Sequence, residues 1–135
     1  MRQATVDLIK RYYAAFNAGD MPAFLGMLTE DVAHDVNQGG RETGKRAFAA
    51  FMQRMNRSYK EEIVDITVMT NEDGSRAAAE FTVLGKYLVT DEGLPEASGQ
   101  TYRLPAGAFF EIRGGQVARV TNYYNLPDWI AQVGG

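Results

Sequence analysis

The spacing of the apolar residues changes once along this chain, near Tyr59, and that change constrains the fold more than any other feature. Before it, apolar residues recur at helical spacing; after it, they alternate. In ATVDLIKRYYAAFNA, residues 4–18, Leu8, Ile9, Tyr12, Tyr13 and Phe16 form one stripe, with Lys10 and Arg11 opposite, so the spacing predicts an amphipathic helix. Gly19 ends it. Asp20-Met21-Pro22 opens a second helix, with Asp as N-cap and Pro in the first turn, that buries Phe24, Leu25 and Leu28. A third helix is predicted over 44–57, with Phe48, Phe51, Met52 and Met55 on one stripe and Thr43 as its cap.

Beyond Tyr59 the alternation predicts strands over 61–70, 76–90, 100–113 and 116–125, with a short early strand over 32–37. Asn71-Glu72-Asp73-Gly74 and Gly114-Gly115 read as hairpin turns, and TDEGLPEASGQ, residues 90–100, as a longer polar connection. NLPDWIAQV reads as a last short helix carrying Leu126, Trp129, Ile130 and Val133, and the terminal Gly134-Gly135 as a frayed end. Helices first and antiparallel strands after give an α+β architecture, with the helices packed on one face of a curved sheet.

Alternation also sorts each strand into two faces. The inward sets are Tyr102, Leu104, Ala106, Ala108, Phe110 and Ile112; Ala77, Ala79, Phe81, Val83, Gly85, Tyr87 and Val89; and Val64, Ile66 and Val68. In 116–124, Arg119 argues that Ala118, Val120, Asn122 and Tyr124 face in and Val117 faces out. Val32, His34 and Val36 share the inward face of the early strand, and Ala33, Asp35 and Asn37 the other. On this sorting, His34 is the only readily ionisable residue on the inner surface of any strand. Met27, Met52, Met55 and Met69 read as gap-filling core.

Composition excludes several classes. A chain of 135 residues fits one domain and buries about two-thirds of its unfolded surface. With no cysteine, there are no disulfides and no thiolate chemistry, and a cytosolic location is the default. The opening MRQATVDLIKRYY carries charges where a signal peptide needs its apolar stretch, and no window approaches the ~18–20 apolar residues of a membrane span. Net charge is −3, and the basic residues are mixed with acids, so nothing marks a nucleic-acid surface. One histidine and no carboxylate–histidine helix motif argue against a metal. Asn37-Gln38-Gly39-Gly40 reads as a loop into the third helix, and no Lys-Ser/Thr follows its glycines as a phosphate loop requires.

RYYAAFNAGDMPAFLGMLTEDV resembles the opening of the nuclear transport factor 2-like superfamily, closest to the branch of ketosteroid isomerases and SnoaL-like polyketide cyclases. The resemblance lies in the aromatic helix, the Asn-Ala-Gly-Asp break at 17–20, the Glu30-Asp31 pair leading into a strand, and the Gly-Gly-Gln-Val-Ala-Arg-Val hairpin before Asn122-Tyr123-Tyr124. It implies a cone-shaped α+β barrel, its bent sheet wrapped around the helices to enclose a deep apolar cavity, and a homodimer through the outer sheet face. Ketosteroid isomerases use an Asp base, a Tyr and a protonated Asp. By resemblance, Arg11-Tyr12 supplies the Tyr. The base position holds Val36, or Asp35 with a one-residue gap, and the protonated Asp falls at or near Ala108, so the strict isomerase set is absent. Relatives of the dehydratase and cyclase kind use histidine and aspartate in the same cavity, a role His34 fits.

The site candidates each carry two readings. His34 is a general acid/base whose pKa an apolar cavity depresses, or a buried neutral histidine held by a carbonyl or Asn122. Asp35 is the base if a bulge turns it inward, or a solvated strand residue. Tyr12 donates to a substrate carbonyl or packs a helix. Asn122, Tyr124, Tyr87, Tyr102, Phe16 and Trp129 contact substrate or form core. The connection 90–100 and the Trp129 helix are placed to cover the cavity mouth. Three functions compete. The first is a cofactor-free acid/base enzyme (isomerase, cyclase or dehydratase) on a hydrophobic carbonyl-bearing or polycyclic molecule. The second is a non-catalytic binding protein for such a molecule. The third, a dimeric interaction module, ranks last because no apolar groove is evident.

Overall fold

The computed structural model describes residues 1–36 and 39–134. Asn37 and Gln38, at the end of the predicted early strand and in the loop after it, and Gly135 lie outside the described residues. The elements follow in the order α1 (Arg2–Ala18), α2 (Met21–Gly26), β1 (Leu28–Asp35), β2 (Arg41–Thr43), α3 (Lys45–Ser58), β3 (Tyr59–Thr70), β4 (Arg76–Tyr87), β5 (Thr101–Arg113), β6 (Gln116–Tyr124) and α4 (Leu126–Val133). Among the described residues, six strands form one curved mixed sheet in the order β2-β1-β6-β5-β4-β3. Only β1 with β6 is parallel; the other neighbours are antiparallel. The fold is the α+β class that the period change predicts.

Helix α1 packs on β3 and β4, α2 on α1 and β1, α3 across β1, β2 and β3, and α4 on β5. The Asn-Ala-Gly-Asp break does more than end a helix. The Asn17 amide clamps the Ile63 backbone, donating to its carbonyl at 2.9 Å and accepting from its N–H at 2.8 Å. Asp20 caps α2 by accepting from the Ala23 N–H. The Glu30-Asp31 pair stays on the surface, with Asp31 ion-paired to Arg113 and Glu30 to Lys45. The Gly114-Gly115 turn holds both residues at positive φ, 59° and 77°, which the tight hairpin between β5 and β6 requires and side-chain-bearing residues resist.

Several local expectations change. Thr43 does not cap α3. It ends β2, a strand too short to show alternation, and Gly44 occupies the N-cap without a side-chain hydrogen bond. In β3, Asp65 at φ 55° marks a bulge between Val64 and Thr67. The bulge shifts the alternation by one, so Ile63 is buried where Val64 was expected, while Ile66 and Val68 pack against the core beyond it. In β6 a second irregularity opposite Glu111 and Ile112 puts Val117 and Val120 both in the core, so Val117 is not outward. Met69 is exposed, not core, and Val89, expected to face inward, lies past the end of β4 and is exposed.

Candidate functional site

Helices and sheet together enclose a cavity of about 690 Å³. Its wall is mainly apolar: Phe16, Phe24, Phe48, Phe51, Met52 and Leu104 are representative. Leu88, Asp91 and Leu94 from the β4–β5 connection and Leu126 and Trp129 from α4 complete the lining, so both predicted covering segments border the cavity. Trp129 is buried against Tyr59, Tyr87 and Tyr102, with ring centroids at 6.0, 5.0 and 5.9 Å.

His34 points inward and is only 2% exposed, but it is not part of the cavity lining. Its imidazole stacks on Phe48, with centroids 4.2 Å apart and planes 12° apart, and meets the edge of Phe51. Phe48 and Phe51 are the residues that line the cavity at this place. His34 Nδ1 lies 4.0 Å from Glu42 Oε1, too far for a hydrogen bond, and both atoms are buried without a partner among the described residues. Burial lowers the His34 pKa below 6.5, with the carboxylates of Glu42 and Asp35 acting the other way.

Asp35 lies on the opposite sheet face. It accepts from Arg41 Nε at 2.6 Å and Nη2 at 3.1 Å, and from the Thr121 hydroxyl at 2.5 Å. Arg119 donates to Thr121 and pairs with Glu111, extending the network. The hydrogen bonds, those from Arg41 foremost, hold the Asp35 carboxyl down at about 2. Val36 is the β1-end residue that reaches the cavity lining.

Of the other candidates, Tyr12, Phe16, Asn122, Tyr124 and Trp129 line the cavity. Tyr12 is buried among Tyr13, Phe24 and Phe110, and burial raises its pKa. Tyr87 and Tyr102 stand one layer back. Tyr87 Oη donates to the Pro95 carbonyl at 2.6 Å and accepts from the Asp91 N–H at 2.9 Å, tying down the β4–β5 connection. Tyr102 Oη donates to Glu61 Oε2 at 2.5 Å.

Glu61 is the residue that the strand sorting missed. It shares the inward face of β3 with Tyr59 and Ile63 and lines the cavity, so His34 is not the only ionisable group on an inner strand face. Desolvation raises its pKa, and the Tyr102 hydrogen bond partly offsets this. The alternation of Tyr59, Glu61 and Ile63 was the available signal, and the bulge at Asp65 hid it. Asp91 also lines the cavity and accepts from Tyr59 Oη at 2.8 Å. Among the described residues no group of three or more His, Cys, Asp or Glu side chains is placed to hold a metal ion, and no helix is long and apolar enough to cross a membrane.

The SnoaL-like domain family matches residues 9–120. The chain belongs to the SnoaL-like family. Two solved structures, each described as a candidate polyketide cyclase, resemble this SnoaL-like protein over nearly their whole length. That from Pseudomonas putida KT2440 is 68% identical, covering 96% of this chain and 97% of its own, at a TM-score of 0.94. That from Xanthomonas campestris pv. campestris is 60% identical, covering 97% of each chain, also at 0.94. A nuclear transport factor 2-like protein from Burkholderia xenovorans LB400 shares the fold at 17% identity, covering 98% of each chain at a TM-score of 0.77. No curated protein matches this SnoaL-like chain.

Proposed function

We propose that this protein binds a hydrophobic carbonyl-bearing or polycyclic molecule in its cavity and performs cofactor-free proton transfer on it, of the isomerase, cyclase or dehydratase type. The observation that carries the reading is the 690 Å³ cavity itself, an aromatic and aliphatic wall interrupted by a few polar groups. The description of its 68% and 60% identical relatives as candidate polyketide cyclases supports the same substrate class. A phenol such as Tyr12, kept protonated by burial, suits the role of donor to a carbonyl oxygen. The non-catalytic alternative draws on Val36 and Ala108, apolar residues where the isomerases carry acids.

We also propose that two copies pair through the outer sheet face. Phe109 and Tyr123 stand 49% and 54% exposed there, edge to face at 5.6 Å, and Met69 is exposed beside them.

Trp129, the only tryptophan, lines the cavity and reports its occupancy. Titrating its fluorescence with bicyclic and tricyclic ketones and enones, while following turnover by mass spectrometry, tests the reading. Quenching with turnover is the expected result. Binding without turnover of any panel member favours the binding protein, and no response to any ketone rejects the cavity-ligand reading.

A further inference from the structure

We propose that Glu61 is the catalytic base of this cavity and that Tyr102, reaching it across Gly85, is its positioning residue. The inference rests on the reading above that the cavity transfers a proton of a bound ketone.

The placement follows from register. Glu61 on β3 pairs with Gly85 on β4, and Gly85 pairs with Tyr102 on β5, so the three form one row across the sheet on its inner face. A side chain in the middle of that row would separate the outer two. Gly85 has none, and a Cβ built there would overlap the Tyr102 ring and hydroxyl. The phenol therefore lies over the glycine and donates to Glu61 Oε2 at 2.5 Å. Tyr102 is in turn held by its edge contact with Trp129. A long, flexible carboxylate side chain is thus fixed in one orientation on the cavity wall, as acid/base chemistry requires.

The chemistry fits the environment. The charged and titratable groups around Glu61 are Tyr59 and Lys60 on its own strand, Tyr102 on β5, Tyr124 on β6 and Asp91 from the β4–β5 connection; all but Tyr102 line the cavity with it. Desolvation makes the carboxylate a stronger base than one in water, which moves it toward the range where proton transfer is efficient. In the step proposed, Glu61 takes a proton from the carbon next to the ligand carbonyl. The O–H bond forms, the C–H bond breaks, and its electron pair becomes the C=C bond as the carbonyl π pair moves onto oxygen. A phenol of the wall such as Tyr12 donates to that enolate oxygen. The Glu61 proton exchanges with solvent, and a proton then returns from the carboxyl to carbon as the oxygen pair re-forms the carbonyl. On the original carbon this is exchange; on the far carbon of a conjugated enolate it is isomerisation. Either regenerates the carboxylate with no oxidant, reductant or cofactor.

The test uses the full chain and 2-tetralone, a bicyclic ketone, in D₂O. Loss of its α-proton signals by NMR, above the protein-free rate, reports proton abstraction, and Trp129 fluorescence reports binding. Wild type is expected to accelerate exchange, and Glu61→Gln to slow it on the order of 10²-fold or more with binding retained. Glu61→Asp, which keeps the carboxylate but withdraws it, is expected to retain part of the rate. The wild-type rate should rise with pH through one inflection above the ordinary glutamate value. Tyr102→Phe should move that inflection upward, because the lost hydrogen bond stabilises the carboxylate; a merely structural tyrosine would not move it. A Glu61→Gln variant that binds 2-tetralone and exchanges it at the wild-type rate overturns the assignment while the proposed function stands. Wild-type protein that binds 2-tetralone without accelerating exchange rejects proton transfer, and this inference with it. Should Glu61→Gln not fold, a wild-type profile without that inflection overturns the assignment.

Discussion

The imidazole of His34 lies flat on the phenyl ring of Phe48, 4.2 Å between centroids, so Phe48 faces the cavity and His34 stands behind it. A buried imidazole with no hydrogen-bond partner on Nδ1 among the described residues resists protonation. NMR titration of this single histidine is expected to give a pKa below 6.5 that cavity ligands barely move. Phe48→Ala should open a path to it, raise its pKa toward 6.5 and make it ligand-sensitive. The sign for stability follows. The unfolded chain takes up a proton at a higher pH than the folded one, so the folded state loses stability as pH falls from about 6.5 through the folded pKa.

Asp35 gives a second pH-dependent term, at lower pH. Its folded pKa, about 2, is below the ordinary 3.8, so its contribution is complete above about 4 and is lost as pH falls toward 2. Arg41, its main partner, is more than half exposed, and solvent screening limits the contribution. Urea unfolding of Asp35→Asn should show a loss of about 1 kcal/mol at neutral pH that shrinks as pH falls below about 4 and through 2.

Gly85→Ala tests the row that joins β3, β4 and β5. The added methyl must displace the Tyr102 ring, and overpacking of this kind costs about 1–3 kcal/mol. Chemical denaturation should show that loss. Tyr102→Gly in the Gly85→Ala background should cost less than in wild type, since there it also relieves the clash.

Phe109→Glu places a charge in the middle of the exposed outer-face patch. Sedimentation velocity is expected to show a dimer for wild type and a monomer for the variant, with Trp129 fluorescence unchanged. A wild-type monomer across the accessible concentration range would dismiss the outer-face pairing.

Helices, hairpins and most strand faces were legible in the sequence because they depend on neighbours a few residues away. The stripe of Leu8, Ile9, Tyr12 and Tyr13, the Asp20 cap, the Gly114-Gly115 turn and the alternation of β4 and β5 all report local geometry, and the structure carries each of them. The inward direction of His34 was legible for the same reason. What lies in front of His34 was not, since Phe48 comes from a helix that packs across β1 only in the folded chain.

Only tertiary structure decided the acidic part of the cavity. Asp65, at positive φ, resets the alternation of β3 and leaves Glu61 and Ile63 inward on its N-terminal side, so the periodicity read over the whole strand points to the wrong set. Glu61, Gly85 and Tyr102 are far apart along the chain, and their row exists only through the pairing register of three strands. Periodicity determines which way a side chain points, because that is a property of the local backbone. Which groups it then meets is set by strand register and helix packing, and those come from contacts made across the whole chain.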